Sequence, residues 1–238
     1  MSSRFFTTEA LVIGSMRYLE ADRIVTLYTR DRGRLGAIAK GVRRTKSKVG
    51  GRLEPFSLVR ASLYSGRSLY KIVGVDTLRT FQGVRDELFR LEEGARLFTA
   101  VRHLFPVEEG SAPAFNLLVR GIARLAESPD QVTAAGVVLA TRLKLLALLG
   151  YAPEMTHCAS CQSEGPFYGF SPSLGGVICD RCASAGGTSC FSLSIGAMAT
   201  LSTLLANPLA EVESYDLDDR AVAEVEQVVA QTLAHHGH

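Results

Sequence analysis

Two pairs of cysteines constrain the fold of this chain more than any other feature of its sequence. Cys158 and Cys161 form one CxxC pair, and Cys179 and Cys182 form a second after seventeen intervening residues. A tight turn at each pair can place two sulfurs on one ion, and the intervening segment folds back to bring the pairs together. The spacing predicts one structural Zn²⁺ ion, because four thiolates leave a tetrahedral ion no open position for catalysis.

Disulfides and plain core packing are the alternative interpretations of these cysteines. Disulfides belong to oxidising compartments, and residues 1–10 lack the apolar segment of an export signal, so we expect a cytoplasmic protein. Core packing does not explain the paired spacing, and the glycines and prolines between the pairs favour the turns of a ribbon. His157 could replace a neighbouring thiolate, whereas we expect Cys190 to be a small buried residue. We therefore predict a zinc ribbon at residues 156–189.

The charge of the chain is unevenly distributed. Residues 1–80 carry 16 basic and 6 acidic side chains, whereas the remainder carries 10 basic and 18 acidic ones. A basic first part joined to an acidic second part predicts a polyanionic partner for the first part. We predict no membrane partner, because the most apolar stretch, residues 132–150, is interrupted by Arg142 and Lys144.

The first 80 residues show the alternation of β-strands. Alternating or apolar stretches lie at 10–13, 23–29, 34–40, 56–64 and 69–75. Five short strands commonly close into a small barrel, so we predict an OB-fold, with an SH3-like barrel as the structural alternative. Tyr28, Tyr64 and Tyr70 could stack on bases, although packing against neighbouring strands is the simpler interpretation for each.

A basic segment interrupts the predicted strands. Residues 41–52 contain five basic residues, three glycines and no acidic residue, a composition that cannot build a core. We predict that this segment binds phosphates with help from the preceding strand, and the alternative is a solvated loop without a partner. The candidate phosphate-binding residues are Arg34, Lys40, Arg43, Arg44, Lys46, Lys48 and Arg52.

Helical periodicity begins near residue 84. Apolar residues at steps of three and four predict helices at 84–105, 112–127 and 131–149. Two more helices follow the cysteines, the first capped by Ser194 and the second by Asp216 or Asp218. We expect Arg142 and Lys144 to reach the edge of the helical bundle, and acidic pairs such as Glu92-Glu93 to be solvated.

These patterns predict a multidomain α+β protein. The predicted domains are a basic OB-fold domain at 1–80, an α-helical domain at 81–155 and 190–238, and the zinc ribbon at 156–189, inserted in the helical domain. The sequence contains no P-loop, no GxGxxG after a strand, no GxSxG and no HExxH. We therefore predict a binding protein rather than an enzyme.

Several motifs together resemble one protein family. The run LALLGYAPEMTHCASC at 146–161, the later FSP at 170–172 with two glycines and the second CxxC pair, and KGVRR at 40–44 are similar to the RecO family of bacterial recombination mediators. The resemblance covers nearly the whole chain. One departure is Gln162, because a glycine often follows the second cysteine in this family, and this change concerns turn geometry more than ligation.

The resemblance implies a DNA repair protein of the RecF pathway, nucleoid-associated in the cytoplasm. Such proteins bind single- and double-stranded DNA through the OB-fold and anneal complementary strands. With the partner RecR, they help load RecA onto DNA coated with single-stranded-DNA-binding protein, whose tail docks on the helical region. Arg43 and Arg44, then Lys40, are the residues that the motif match favours for DNA contact. Other interpretations are a zinc-ribbon adaptor for proteins, an RNA-binding protein, and a nucleic-acid enzyme with unrecognised catalytic residues.

Overall fold

A computed structural model describes residues 4–42 and 50–236 of the chain. The chain divides into two compact units. The first comprises Met1–Leu88 and Phe105–Ala126, and the second comprises Phe89–Leu104 and Glu127–His238.

The first unit is built around five β-strands, which form a closed barrel in the order β1-β2-β3-β5-β4. All neighbours pair antiparallel except β3 and β5, which pair parallel. This strand order is that of the OB-fold, so the predicted fold class is confirmed over the SH3-like alternative. The strands are β1 (Phe5–Tyr18), β2 (Asp22–Thr29), β3 (Gly33–Ala39), β4 (Ser57–Tyr64) and β5 (Tyr70–Thr80).

Buried and exposed side chains alternate along the strands, and the buried ones fill the interior of the barrel. In β3 every second residue is buried, including Leu35 and Ala37, and β4 does the same with Val59, Ala61 and Leu63. Because successive side chains point to opposite faces of a strand, these residues form the apolar interior while their neighbours face outward. A 3-10 helix (Gly50–Leu53) precedes β4 and contributes Leu53 to the same core.

Two helices belong to the barrel unit. They are α1 (Gln82–Asp86) and α3 (Ala112–Leu125), and α3 begins after Ser111, whose hydroxyl accepts a hydrogen bond from the amide of Ala114. Phe115 of α3 stacks on the buried ring of Tyr28, with 6.4 Å between the ring centroids. Tyr28 is only 1% exposed, so its ring packs in the unit's interior rather than on a nucleobase, and this burial raises the pKa of its hydroxyl. The sequence pattern had grouped α3 with the other helices.

The second unit contains the remaining helices and the ribbon. The helices are α2 (Leu88–Leu104), α4 (Gln131–Leu148), α5 (Asp180–Ser184), α6 (Ile195–Ala206) and α7 (Asp219–His236). Three short ribbon strands are β6 (Phe167–Ser171), β7 (Gly176–Cys179) and β8 (Phe191–Ser192), in the order β7-β6-β8. Ser194 and Asp218 accept hydrogen bonds from the first-turn amides of α6 and α7, which confirms those caps.

Helix α4 is a long apolar helix of this unit. It is long and apolar enough to cross a membrane by length and composition, but 61% of it is buried inside the structure. It packs against α6, α7 and a 3-10 helix (Leu209–Ser214). The burial matches that of the core helix of a helical domain.

The expectation that Arg142 reaches the edge of the bundle is wrong. Arg142 lies on α4 with only 4% of its surface exposed, and its Nη1 donates hydrogen bonds to both carboxylate oxygens of Glu226 on α7, at 2.8 and 2.6 Å. Burial is tolerated because the carboxylate neutralises the guanidinium. Lys144 is half-buried, and its ammonium donates to the carbonyl of Leu205 at the end of α6 at 2.9 Å.

The expectation that Glu93 is solvated is also wrong. Its residue is only 5% exposed, and its carboxylate accepts a hydrogen bond from Arg96 one turn later, at 3.0 Å. Burial raises the pKa of Glu93 despite that neighbouring charge. The predicted helix at 84–105 is interrupted as well, because Glu87 is extended between α1 and α2.

Candidate metal centre and nucleic-acid interface

The four predicted cysteines meet at one point. Their Sγ atoms all lie within 4.8 Å of one another, and Cys161 and Cys179 are separated by 3.7 Å between their sulfurs. In a tetrahedral site with metal–sulfur bonds of about 2.3 Å, the sulfurs lie about 3.8 Å apart. The four thiols could therefore hold one metal ion and complete its coordination.

The first pair lies on a turn that is fixed by backbone hydrogen bonds. The amide of Gln162 donates to the carbonyl of Cys158 at 2.9 Å, and the amide of Ala159 donates to Val177 of β7 at 2.8 Å. Just upstream, one carboxylate oxygen of Glu154 accepts the amides of Thr156 and His157. The Thr156 hydroxyl and then these amides lower the pKa of Glu154 to about 2.

The second pair lies where β7 passes into α5. Cys179 is the last residue of β7, and its amide approaches the sulfur of Cys158 at 3.4 Å, while Cys182 lies within α5. Ile178 and the half-buried Phe167 pack beside the sulfurs. A small apolar cluster thus positions the two pairs against each other.

Two thiols of the centre are predisposed to ionise. Hydrogen bonding to Ser163 lowers the pKa of Cys161 to about 6, and the backbone amide of Cys182 lowers the pKa of Cys179. Thiolates are the form that binds metal, so ionisation of these two thiols favours ligation. Cys182 differs, because hydrogen bonding to Ser160 lowers its pKa but the thiols of Cys161 and Cys179 outweigh that effect and raise it to about 11. His157 is not part of the sulfur group, and its Nδ1 instead lies 2.9 Å from the Thr156 hydroxyl. Cys190 packs beside the centre as a half-buried residue.

The conformation of Gln162 explains why glycine suits this position. Gln162 has a φ of 62°, a left-handed conformation that costs a residue with a side chain about 1–2 kcal/mol. Its side-chain amide recovers part of that cost through a hydrogen bond of 3.3 Å to the carbonyl of Cys158. We predict that Gln162→Gly raises the free energy of unfolding of the metal-loaded ribbon by about 1 kcal/mol, measured by chemical denaturation.

Gly175 in the same ribbon supplies the matched control. It has a φ of 69°, and an added Cβ would meet no atom within 4 Å. Gly175→Ala should therefore destabilise the ribbon by about 1 kcal/mol through backbone strain alone. Equal effects of the two substitutions would contradict this account of the turn.

The predicted DNA-binding residues fall into two groups. Arg43, Arg44, Lys46 and Lys48 lie outside the described residues. The chain leaves the described part after Val42 and returns at Gly50, and these two ends lie side by side, because a Cβ on Gly50 would be 2.7 Å from the carbonyl oxygen of Val42. Val42 and Leu53 are buried in the barrel core, so both ends of the basic segment are anchored on the barrel.

The other three predicted residues differ in their surroundings. Lys40 is exposed directly after β3, where the amide of Gly41 donates to the carboxylate of Asp22 at 2.8 Å. Arg34 is half-buried on β3, and its Nε has no hydrogen-bond partner within the described part of the chain. Arg52 donates from Nη1 to the carbonyl of Val75 at 2.6 Å and so ties the 3-10 helix to β5. Their role in DNA binding stays a prediction.

The barrel unit carries further basic residues that are not among those predicted from the sequence. Arg30 and Arg120 line a cleft of about 420 Å³ between α3 and the barrel, and Glu9 in the same cleft lies 3.2 Å from Arg30. Arg60 faces outward from β4, 3.7 Å from the same carboxylate. The alternation of β4 could have indicated the outward direction of Arg60, but only the packing of α3 brings Arg120 to the cleft.

Comparison with known proteins identifies the family. Residues 1–81 match the family described as Recombination protein O N terminal, and residues 87–237 match Recombination protein O C terminal. The chain is 40% identical over 233 residues to the DNA repair protein RecO of Rubrobacter xylanophilus, covering 97% of this chain and 92% of that protein. It is also 40% identical over 237 residues to the DNA repair protein RecO of a Nocardioides species, covering 97% and 94%. The chain therefore belongs to the RecO family of DNA repair proteins.

Proposed function

We propose that this protein is a recombination mediator of the RecF pathway that binds single- and double-stranded DNA and anneals complementary strands. The observation that carries the proposal is a closed barrel of OB-fold strand order in a segment with 16 basic and 6 acidic residues. With RecR, the protein helps load RecA onto DNA coated with single-stranded-DNA-binding protein. It acts in the cytoplasm, associated with the nucleoid, and catalyses no covalent step.

Annealing requires two polyanions to be held together while their bases remain free to pair. Contacts to phosphates position a nucleic acid without reading its sequence. Basic side chains at residues 41–52 neutralise phosphates, and the exposed Lys40 extends this surface from the end of β3. Because Val42 and Leu53 anchor the segment in the barrel core, the bound strands are held against a rigid support.

The metal in this proposal is one zinc ion with a structural role. The donor set of four thiolates is typical of structural zinc sites and leaves no position for water or substrate. Cys158, Cys161, Cys179 and Cys182 would hold the ion and fix β7 and α5 against the first cysteine turn. Zinc thus stabilises the ribbon and takes no part in annealing.

The basic segment leads to a specific prediction. Reversing two charges with Arg43→Glu and Arg44→Glu should weaken binding of both single- and double-stranded DNA about tenfold at low salt, because fewer phosphates are neutralised. The loss should be the same for unrelated sequences, measured by fluorescence anisotropy with labelled oligonucleotides. A loss confined to one sequence would indicate base readout and contradict the proposal.

A matched control separates this local effect from the change in net charge. Arg181 in α5 and Arg220 in α7 are both exposed and belong to the second unit. Reversing these two charges changes the net charge equally and should alter the affinity less than twofold. An equal loss in the control would show that net charge, rather than the basic segment, governs binding.

An annealing assay tests the function itself. Complementary strands are coated with single-stranded-DNA-binding protein, the purified chain is added, and duplex formation is followed by fluorescence quenching of end labels. We expect duplex formation to accelerate at least tenfold over the coated strands alone. A protein that binds the naked strands but leaves the coated strands unpaired would contradict the mediator role.

A further inference from the structure

Two exposed aromatic residues lie side by side on β1 and β4, and the row that they begin continues to Lys71 on β5. Phe5 of β1 lies directly opposite Tyr64 of β4, and Tyr64 lies opposite Lys71 of β5. Residues directly opposite each other on neighbouring strands point to the same side of the sheet. Phe5 is 50% exposed and Tyr64 is 41% exposed, so both rings point outward while Phe6 and Leu63 face the core. Val73, 51% exposed, adds a further apolar side chain next to Lys71.

The next row of this face is small and flat. It consists of Thr7, Ser62 and Gly74, which are paired across the same three strands. The two hydroxyl groups are hydrogen-bonded to each other at 3.0 Å. Beside the two rings this row therefore offers two hydroxyl groups and a glycine, while Val73 lies between Lys71 and Gly74 on β5.

The flanks of the row are basic. Arg4 precedes Phe5, Arg67 lies in the turn between β4 and β5, and Lys71 ends the row, all three with exposed side chains. The turn itself brings β5 close, because a Cβ on Gly66 would lie 2.1 Å from the carbonyl oxygen of Leu69. Within residues 4–42 and 50–236, no carboxylate lies within 4 Å of the charged groups of these three residues.

We propose that this outer face of β1, β4 and β5 is a stacking surface for the nucleobases of single-stranded DNA. The inference rests on the proposed function and names a second DNA contact, distinct from the basic segment. Exposed aromatic rings bind bases through their π faces whatever the sequence, while flanking cations bind the phosphates. A duplex hides those faces in its own stack, so this surface selects unpaired strands. Basic flanks fit a polyanion better than a neutral or basic protein segment.

The test compares Tyr64→Ala and Tyr64→Leu with the unaltered chain, using a 20-nucleotide oligo-dT and a 20-base-pair duplex. We expect Tyr64→Ala to weaken oligo-dT binding about tenfold and duplex binding less than twofold. Tyr64→Leu keeps an apolar side chain without a π face and should lose as much, whereas Tyr64→Phe should bind normally. Duplex binding also shows that each variant is folded.

Tyr18 supplies the matched control, because it is equally exposed at 41% but lies at the far end of β1. Tyr18→Ala should bind both DNA probes normally. Full oligo-dT binding by Tyr64→Ala, or full binding by Tyr64→Leu, would overturn the stacking surface while leaving the proposed function intact, and would point to a protein partner on this face. If the unaltered chain bound neither probe, the proposed function would fail together with this inference.

Discussion

Cys179→Ser is expected to abolish stable zinc binding and to unfold the ribbon. The apolar cluster around the cysteines is small, with Cys158, Ile178 and Cys179 as its buried members. Zinc binding contributes about 10–16 kcal/mol of apparent folding free energy in small zinc-binding peptides, which far exceeds what so small a cluster can supply. Metal analysis should give one zinc per unaltered chain and much less than one for the variant. Hydrogen exchange should show lost protection at residues 156–189.

Two control variants distinguish the metal ligands from neighbouring residues that do not bind the metal. Cys190→Ser changes a half-buried cysteine outside the four-sulfur group, and His157→Ala removes the other candidate ligand. Both variants should retain one zinc ion per chain. Retention of a full zinc ion by Cys179→Ser, or its loss in Cys190→Ser, would contradict the assigned ligand set.

Glu226→Ala is expected to destabilise the second unit by about 3 kcal/mol. The substitution removes the carboxylate that accepts both hydrogen bonds from Arg142 and leaves the buried guanidinium without this hydrogen-bonded partner. Removing one partner of a buried ion pair costs about 3–5 kcal/mol, and the partial exposure of Glu226 favours the lower end. Urea unfolding followed by helical circular dichroism measures this loss.

The neighbouring residue Gln227 provides the control for this helix. Gln227 is exposed on α7, so Gln227→Ala should change the free energy of unfolding by less than about 0.5 kcal/mol. The double variant Arg142→Met with Glu226→Leu should recover most of the lost stability, because it removes both charges together. A Glu226→Ala protein as stable as the Gln227→Ala protein would show that the pair is energetically neutral.

Local patterns were sufficient to predict the strands but not their full extent. Alternation located β3 and β4 to within about a residue, because each has one face in the barrel core. Only residues 10–13 were predicted for β1, although it runs from Phe5 to Tyr18. Its first half pairs with β4 and its second half with β2, and such pairing is a property of the folded barrel rather than of the strand's own sequence.

Long-range contacts account for the burial of Arg142 and for the place of α3. Arg142 is buried because Glu226 lies opposite it, 84 positions later in the chain, and no local pattern reveals that pairing. The place of α3 in the barrel unit similarly depends on the packing of Phe115 against Tyr28. Both contacts join residues whose own periodicity is that of ordinary helices and strands.

The two candidate sites differ in how far the sequence reveals them. The metal centre was predictable because its ligands come in two local pairs whose spacing is itself the signal. The stacking surface was predictable only in part, because the sequence offers Tyr64 as a base-stacking candidate but only the register of β1 and β4 joins Phe5 to it. For Arg52, composition predicts a phosphate contact, which stays a prediction, and the structure adds a hydrogen bond from Nη1 to the carbonyl of Val75 that no local pattern reveals.

The central claim is that the basic first part of the chain binds the phosphates of DNA. The salt dependence of the DNA affinity tests this claim most directly. The dissociation constant of the full chain for single-stranded DNA is measured from about 50 to 200 mM salt. If about five phosphates are neutralised, the logarithm of the association constant should fall against the logarithm of salt concentration with a slope of about −3 to −5. A nearly flat dependence, or no DNA binding in dilute buffer, would contradict the account.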